Sequence, residues 1–166
     1  MRQIHHEDVV VGTVLASLDK GVMTPAHIMR WSAAIENWHR IHYDVRFAQG
    51  HDGLPDLLIN GSWKQHVLVQ LVKDGLGELG WLWKLKFRYK SMDLVGDSIG
   101  GSATVRSTRV AGGFGFVELD VQLHNQHGVA KTVGAALGVL PLRNGAPVPH
   151  PFVLRSEYAT LGFSDD

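Results

Sequence analysis

The densest polar cluster of the chain is Glu36-Asn37-Trp38-His39-Arg40-Ile41-His42-Tyr43-Asp44. His39 and His42 stand three apart, so one helical turn could present both on one face. A neutral imidazole, with its usual pKa of about 6.5, can take a proton from water. His42 and Asp44 form a His-x-Asp pair, a spacing that serves proton transfer but also plain capping and ion pairing. His39, His42 and Asp44 are each possible metal ligands, yet their spacing matches no zinc signature, so no metal is expected.

These residues need a frame. The cluster lies where a first helix ends. Thr24-Pro25 supplies a cap and a first helical position, and Ile28, Trp31, Ile35 and Trp38 follow as one helical face. Before that helix, residues 9–18 are apolar with β-branched residues and predict a first strand or an extended lead-in. After the cluster, residues 44–48 predict a short helical turn and His51-Asp52-Gly53-Leu54-Pro55 a loop. Asn60-Gly61-Ser62 then opens a long apolar helix, with Trp63, Val67, Leu68, Leu71 and Val72 as its buried stripe and Gly75, Gly77 and Gly80 as stop signals.

From Trp81 the period changes to two. Trp81, Trp83, Leu85, Phe87 and Tyr89 alternate with Leu82, Lys84, Lys86, Arg88 and Lys90, which predicts one apolar and one cationic face. The cationic side is read as a solvated sheet face set against acidic residues such as Glu118 and Asp120 on a neighbouring strand. Further strands are expected over residues 97–110, 114–124 and 129–140, and the small residues Gly134, Ala135, Ala136 and Gly138 imply close packing on a helix or a neighbouring backbone. A long apolar helix needs a sheet to cover it. The fold class is therefore α+β; a curled antiparallel sheet around a central helix fits it, and the pattern alone leaves other α+β folds open. We divide the chain into a domain over residues 1–142 and an extension over residues 143–166, the latter an irregular segment or an arm onto a partner.

Composition narrows the function classes. Sixteen Lys and Arg balance sixteen Asp and Glu, which argues against broad nucleic-acid binding. The chain has no cysteine, which rules out disulfides, thiolate catalysis and Cys-based zinc sites. No stretch approaches the roughly 18 apolar residues of a membrane span, and the N-terminus does not read as a signal peptide. The expected location is the cytoplasm, with no membrane partner.

The string Asn37-Trp38-His39-Arg40-Ile41-His42-Tyr43-Asp44, followed by Phe47-Ala48, a Gly-rich loop and Leu58-Ile59-Asn60-Gly61, resembles the MaoC-like and R-specific enoyl-CoA hydratase family. The typical family pattern is Gly-Asp-x-Asn-Pro-Ile-His, then x-Asp, Phe-Ala, and His-Gly at a central helix. The likeness is closer to the branch of hydroxyacyl-thioester dehydratases and mesaconyl-C4-CoA hydratases, which carries Asn-x-His-Arg-Ile-His-Tyr-Asp. Phe87-Arg88-Tyr89 and Gly96-Asp97 resemble the family's Arg-Phe strand and Gly-Asp turn.

The resemblance implies a hot-dog fold and a hydro-lyase that adds or removes water at the double bond of an acyl-thioester, carried on CoA or acyl carrier protein, with no cofactor. It implies catalytic roles for His42, for Asn37 in place of the family's Asp, and for Asp44, which would fix the tautomer of His42 or the local turn. Gly61 would present its N–H to the thioester oxygen, and Asn60, Ser62, His39 and Arg40 would line the substrate. Asn37 cannot act as a base, so it is read as a water-orienting amide. Arg40 either binds a carboxylate or phosphate of the acyl carrier or pairs with Glu36. Asn60 replaces the family's His and is read as a helix cap. A homodimer or dimer of dimers is expected, because a single hot-dog sheet leaves an open edge. The alternatives are a non-catalytic acyl-binding subunit of a larger dehydratase, motivated by Asn37, and an acyl-CoA thioesterase, disfavoured because residues 60–70 hold no carboxylate.

Overall fold

The computed structural model describes residues 3–153, 155–158 and 161–163. The parts of the expected extension at 154, 159–160 and 164–166, and the first two residues of the N-terminal stretch, lie outside them. The described chain forms strand β1 (Val14–Val22), helices α1 (Pro25–Ala34), α2 (Val45–Gly50) and α3 (Gly61–Leu76), and strands β2 (Trp81–Tyr89), β3 (Ser98–Ala111), β4 (Phe114–His124) and β5 (Ala130–Pro141). One antiparallel five-stranded sheet has the order β1-β3-β4-β5-β2. It carries α3 on one face, as a hot-dog fold requires.

The core follows from the two periods read in the sequence. Val67, Leu68, Leu71, Val72 and Leu76 of α3 are buried against Val117, Leu119, Val121 and Leu123 of β4, with Ala103 and Val105 of β3 and Ala136 of β5 beside them. The small residues of β5 do both things expected of them. Gly138 faces Leu76 of α3, and Gly134 faces the backbone of β2. A methyl added at Gly134 would sit 2.7 Å from the Phe87 Cα, so β2 would have to move. We expect Gly134→Ala to lower stability by about 2 kcal/mol, in the range of core overpacking. A urea midpoint equal to wild type would refute this close approach.

Three local expectations need correction. The lead-in strand begins later than residue 9, because Thr13 N–H donates back to the Val10 carbonyl (3.2 Å) and closes a turn first. The helical face of Ile28, Trp31, Ile35 and Trp38 is cut short: α1 ends at Ala34, and Glu36 turns the chain with a φ of 54°. Ile28 is buried, whereas Ile35 and Trp38 are exposed. The strict alternation of β2 fails at a β-bulge between Leu82 and Lys84. A bulge adds one residue on one side of a ladder and shifts the facing of the residues beyond it. Leu82, Leu85 and Phe87 therefore pack toward α3, while Trp81 and Trp83 join a second apolar cluster, with Phe116, Leu137 and Val139.

Residues of the extension complete that second cluster. Among its described residues, Val148, Phe152, Tyr158 and Leu161 pack on the sheet of the same chain. Lys84 Nζ donates to the Leu161 carbonyl (3.0 Å), Arg109 donates to the Gly162 carbonyl (2.6 Å), and Lys86 Nζ stands 4.2 Å above the Phe163 ring. Glu118 and Asp120 lie on β4, with β5 between them and β2. Both meet Arg106 of β3, Glu118 at 3.6 Å, and Asp120 in a close hydrogen-bonded pair.

Candidate active site

The nine-residue polar cluster becomes the connection from α1 to α2. Asn37 N–H closes the end of α1 on the Ser32 carbonyl (2.9 Å), and the Asn37 side chain accepts from His39 N–H (3.3 Å). Arg40 to His42 then form one 3-10 turn. Ile41 carbonyl accepts from Leu58 N–H (3.0 Å), which ties this turn to the chain entering α3.

His42 is the buried member of the cluster, 6% exposed. Its Nδ1 lies 2.8 Å from the Leu58 carbonyl. A carbonyl can only accept, so Nδ1 carries the proton and Nε2 of the neutral ring is left as an acceptor. Burial lowers the His42 pKa below its usual value, the Leu58 bond opposes that shift, and the nearby His39 adds to it. The His39 ring meets His42 edge-on at 6.3 Å between centroids and Phe47 at 6.2 Å.

Asp44 serves the local turn and not the His42 tautomer. It caps α2 by accepting from Phe47 N–H (3.0 Å) and takes both Nε and Nη2 of Arg40, at 3.1 and 2.6 Å. The Arg40 guanidinium and then the Phe47 amide hold the Asp44 carboxyl below the usual carboxylate range. Arg40 thus pairs with Asp44, where the sequence suggested Glu36, and its guanidinium lies over the Phe47 ring at 4.5 Å.

The residues at the start of α3 diverge. Asn60 holds the capping position but makes no side-chain cap. It is buried and bonds to Ser32 of α1, its Nδ2 donating to Ser32 Oγ (3.0 Å), as a buried amide needs a partner. Ser62 Oγ accepts from Trp31 Nε1 (2.9 Å). The first N–H groups of a helix have no partner within it, and here the Asn60 side chain does not cap them. They carry the positive end of a sixteen-residue helix. Two depressions open on this turn. One of about 250 Å³ is bordered by Leu58, Gly61, Lys64, Tyr89 and Met92. The other, of about 360 Å³, has Met23, Trp31 and Trp63 as apolar wall with Lys20 and Arg30 at its rim.

A family model described as hydroxyacyl-thioester dehydratase type 2 matches residues 14–97, just over half of the 166. The chain belongs to the hydroxyacyl-thioester dehydratase type 2 family. It thereby falls among the MaoC-like hot-dog dehydratases, as the octapeptide implied. No curated protein sequence matches this family member. Among solved structures, it is similar to the (R)-hydratase from A. caviae involved in PHA biosynthesis: TM-score 0.72, 20% identity, covering 81% of this chain and 99% of that one. R-hydratase PhaJ1 from Pseudomonas aeruginosa gives a TM-score of 0.74 at 15% identity, with 85% and 88% covered. The ChsH1–ChsH2 complex from Mycobacterium tuberculosis gives 0.68 at 20% identity, with 80% and 98% covered. At such identities the likeness establishes the shared fold.

Sequence reasoning missed a second polar group at the start of α3. Lys64, in the first turn of α3, is buried and bonds to Asp93 at 2.8 Å. Lys131 lies 3.6 Å from the same Asp93 and 2.8 Å from Asp97. The Lys64 Nζ also stands 4.8 Å from the Tyr89 ring centre. A signal existed, since Lys64 is spaced three and four from Val67 and Leu68, on the apolar stripe itself. A lysine at a core position needs a buried anion, but nothing in the sequence pointed to Asp93. Among the described residues, His, Asp and Glu form no group of three able to hold a metal ion, and no helix is long and apolar enough to cross a membrane.

Proposed function

We propose that this chain adds water to, or removes it from, the α,β double bond of an acyl-thioester, with His42 as the proton-transfer group. The observation that carries the reading is the fixed tautomer of His42, whose Nδ1 is tied to Leu58 and whose Nε2 has no hydrogen-bond partner among the described residues, on a chain segment bonded to the entry of helix α3. In the hydration direction Nε2 takes a proton from water, and the water oxygen bonds the β-carbon. The double-bond electrons move toward the thioester oxygen, whose growing charge is met by the N–H of Gly61 and the helix dipole. The imidazolium then returns its proton to the α-carbon, which restores the thioester and the neutral ring. Asn37, an amide that cannot exchange protons at neutral pH, orients the water. The substrate is a thioester on CoA or on acyl carrier protein.

Among the described residues β1 pairs with β3 alone and β2 with β5 alone, which leaves two sheet edges without a neighbouring strand. An open edge favours pairing with a second chain, and we propose a homodimer or dimer of dimers as the working form. Asn37 favours a second reading, an acyl-binding subunit that works beside an active partner. The likeness to a two-chain complex is compatible with it.

Loss of enoyl-thioester ultraviolet absorbance separates the two. Purified wild type is given crotonyl-, longer trans-2-enoyl- and mesaconyl-type CoA esters. We expect turnover by wild type, and a fall of about tenfold in Asn37→Ala from loss of water orientation, somewhat below the usual range for a group that itself moves the proton. No turnover by wild type with gain in Asn37→Asp would overturn the enzyme reading in favour of the silent subunit.

A further inference from the structure

The first turn of α3 is held from outside at two successive residues. On one side Trp31 of α1 donates to Ser62 Oγ. On the other, Tyr89, the last residue of β2, donates its hydroxyl to the Gly61 carbonyl at 2.6 Å. The Tyr89 ring also covers Gly61 closely: a Cβ at that position would lie 3.0 Å from the ring carbon Cζ and from the hydroxyl oxygen. The ring is in turn placed by Lys64, whose ammonium is anchored on buried Asp93. Asp93 belongs to the segment after β2, and its carbonyl accepts from Ile59 N–H (2.9 Å), so the same segment grips the chain just before the helix.

From this geometry we infer that Tyr89 is a positioning residue for the reaction, orienting the Gly61–Ser62 peptide so that the Ser62 N–H faces the thioester oxygen as a second donor beside the Gly61 N–H. The inference rests on the hydratase reading above. The single hydroxyl bond has two effects. It fixes the tilt of the Gly61 carbonyl, and hence of the peptide plane that carries the Ser62 N–H. It also polarises that peptide, because donation to a carbonyl strengthens the N–H of the same amide as a donor. Burial pushes the Tyr89 phenol above its usual pKa, so the hydroxyl keeps its proton throughout the working range. Both effects matter most when charge has developed on the substrate oxygen. They belong to the transition state more than to the bound substrate.

The test is Tyr89→Phe, which keeps the ring over Gly61 and Lys64 and removes only the hydroxyl. We expect kcat to fall about tenfold with KM within twofold of wild type and an unchanged melting temperature. In amide ¹H–¹⁵N spectra the Ser62 resonance should move upfield, as its N–H becomes a weaker donor. Tyr89→Leu, which also uncovers Lys64, should lose stability as well. With wild type active, Tyr89→Phe within twofold of wild type in kcat, or altered only in KM or melting temperature, would overturn the inference and leave the hydratase reading standing. A wild type inactive on every enoyl-thioester would overturn the hydratase reading, and the positioning role with it.

Discussion

His42→Ala is expected to lower turnover of an enoyl-thioester by at least about a thousandfold, with little change in fold. General acid–base catalysis by one positioned side chain contributes roughly a hundredfold to ten-thousandfold. Here the upper part of that range applies, because Asn37 cannot take over the proton and Asp44 is committed to Arg40 and to the cap of α2. His42→Gln should be nearly as inactive, since an amide can donate to the Leu58 carbonyl but cannot cycle a proton. The pH profile of wild type carries a sign. The base must be neutral, and burial holds its pKa below the usual value. Activity should therefore persist as pH falls past about 6.5, the ordinary histidine value, and be lost only at a lower pH. The same shift acts on folding. Below the ordinary value the unfolded chain binds a proton at His42 that the folded chain resists, so stability falls as pH drops through that window. An acid limb at or above the ordinary value would contradict a buried neutral His42. Activity of His42→Ala within tenfold of wild type would remove the mechanism.

The second large effect is on stability. Lys64→Ala should cost about 3 kcal/mol, read as a shift of the urea midpoint at constant slope. The side chains of Lys64 and Asp93 are only 4% and 2% exposed. Removing one partner of a buried pair leaves the other charge without compensation, at roughly 3–5 kcal/mol. The lower figure is expected because Lys131 still lies 3.6 Å from Asp93. Lys64→Met with Asp93→Leu should recover most of the loss, since a buried ion pair replaced by apolar residues of similar size is often nearly neutral. A single mutant within about 1 kcal/mol of wild type would mean that Lys131 alone satisfies Asp93. Because Lys64 also supports the Tyr89 ring, stability and activity are to be measured on the same preparations.

Much of the frame could be read without coordinates. The stripe Val67, Leu68, Leu71 and Val72 keeps a helical period and is buried as expected, with Trp63 only partly buried at its start, and the strand expected over residues 114–124 buries Val117, Leu119, Val121 and Leu123 in the same core. Those patterns are local and repeat, so one buried surface against one solvated surface is enough to reveal them. The octapeptide from Asn37 to Asp44 likewise carried the family, because a run of side chains with little packing role is unusual enough to compare.

Other features depended on neighbours distant in sequence. Whether Trp81 and Trp83 faced α3 turned on one extra residue in β2, a bulge that forms only when β5 lies alongside. Asn60 reads as a cap, yet Ser32 from α1 takes its amide. Asp44 could have served His42 or the turn, and Arg40 and the Phe47 amide claimed it. The tautomer of His42 rests on a main-chain carbonyl, Leu58, which no side-chain pattern can signal. Sequence by itself determined the periods and the fold class, because those follow from side-chain type and spacing, while the choice of His42 came from the resemblance that the octapeptide carries. Tertiary structure alone decided which partner each polar group took, because a buried hydrogen bond goes to whichever group folding brings within about 3 Å.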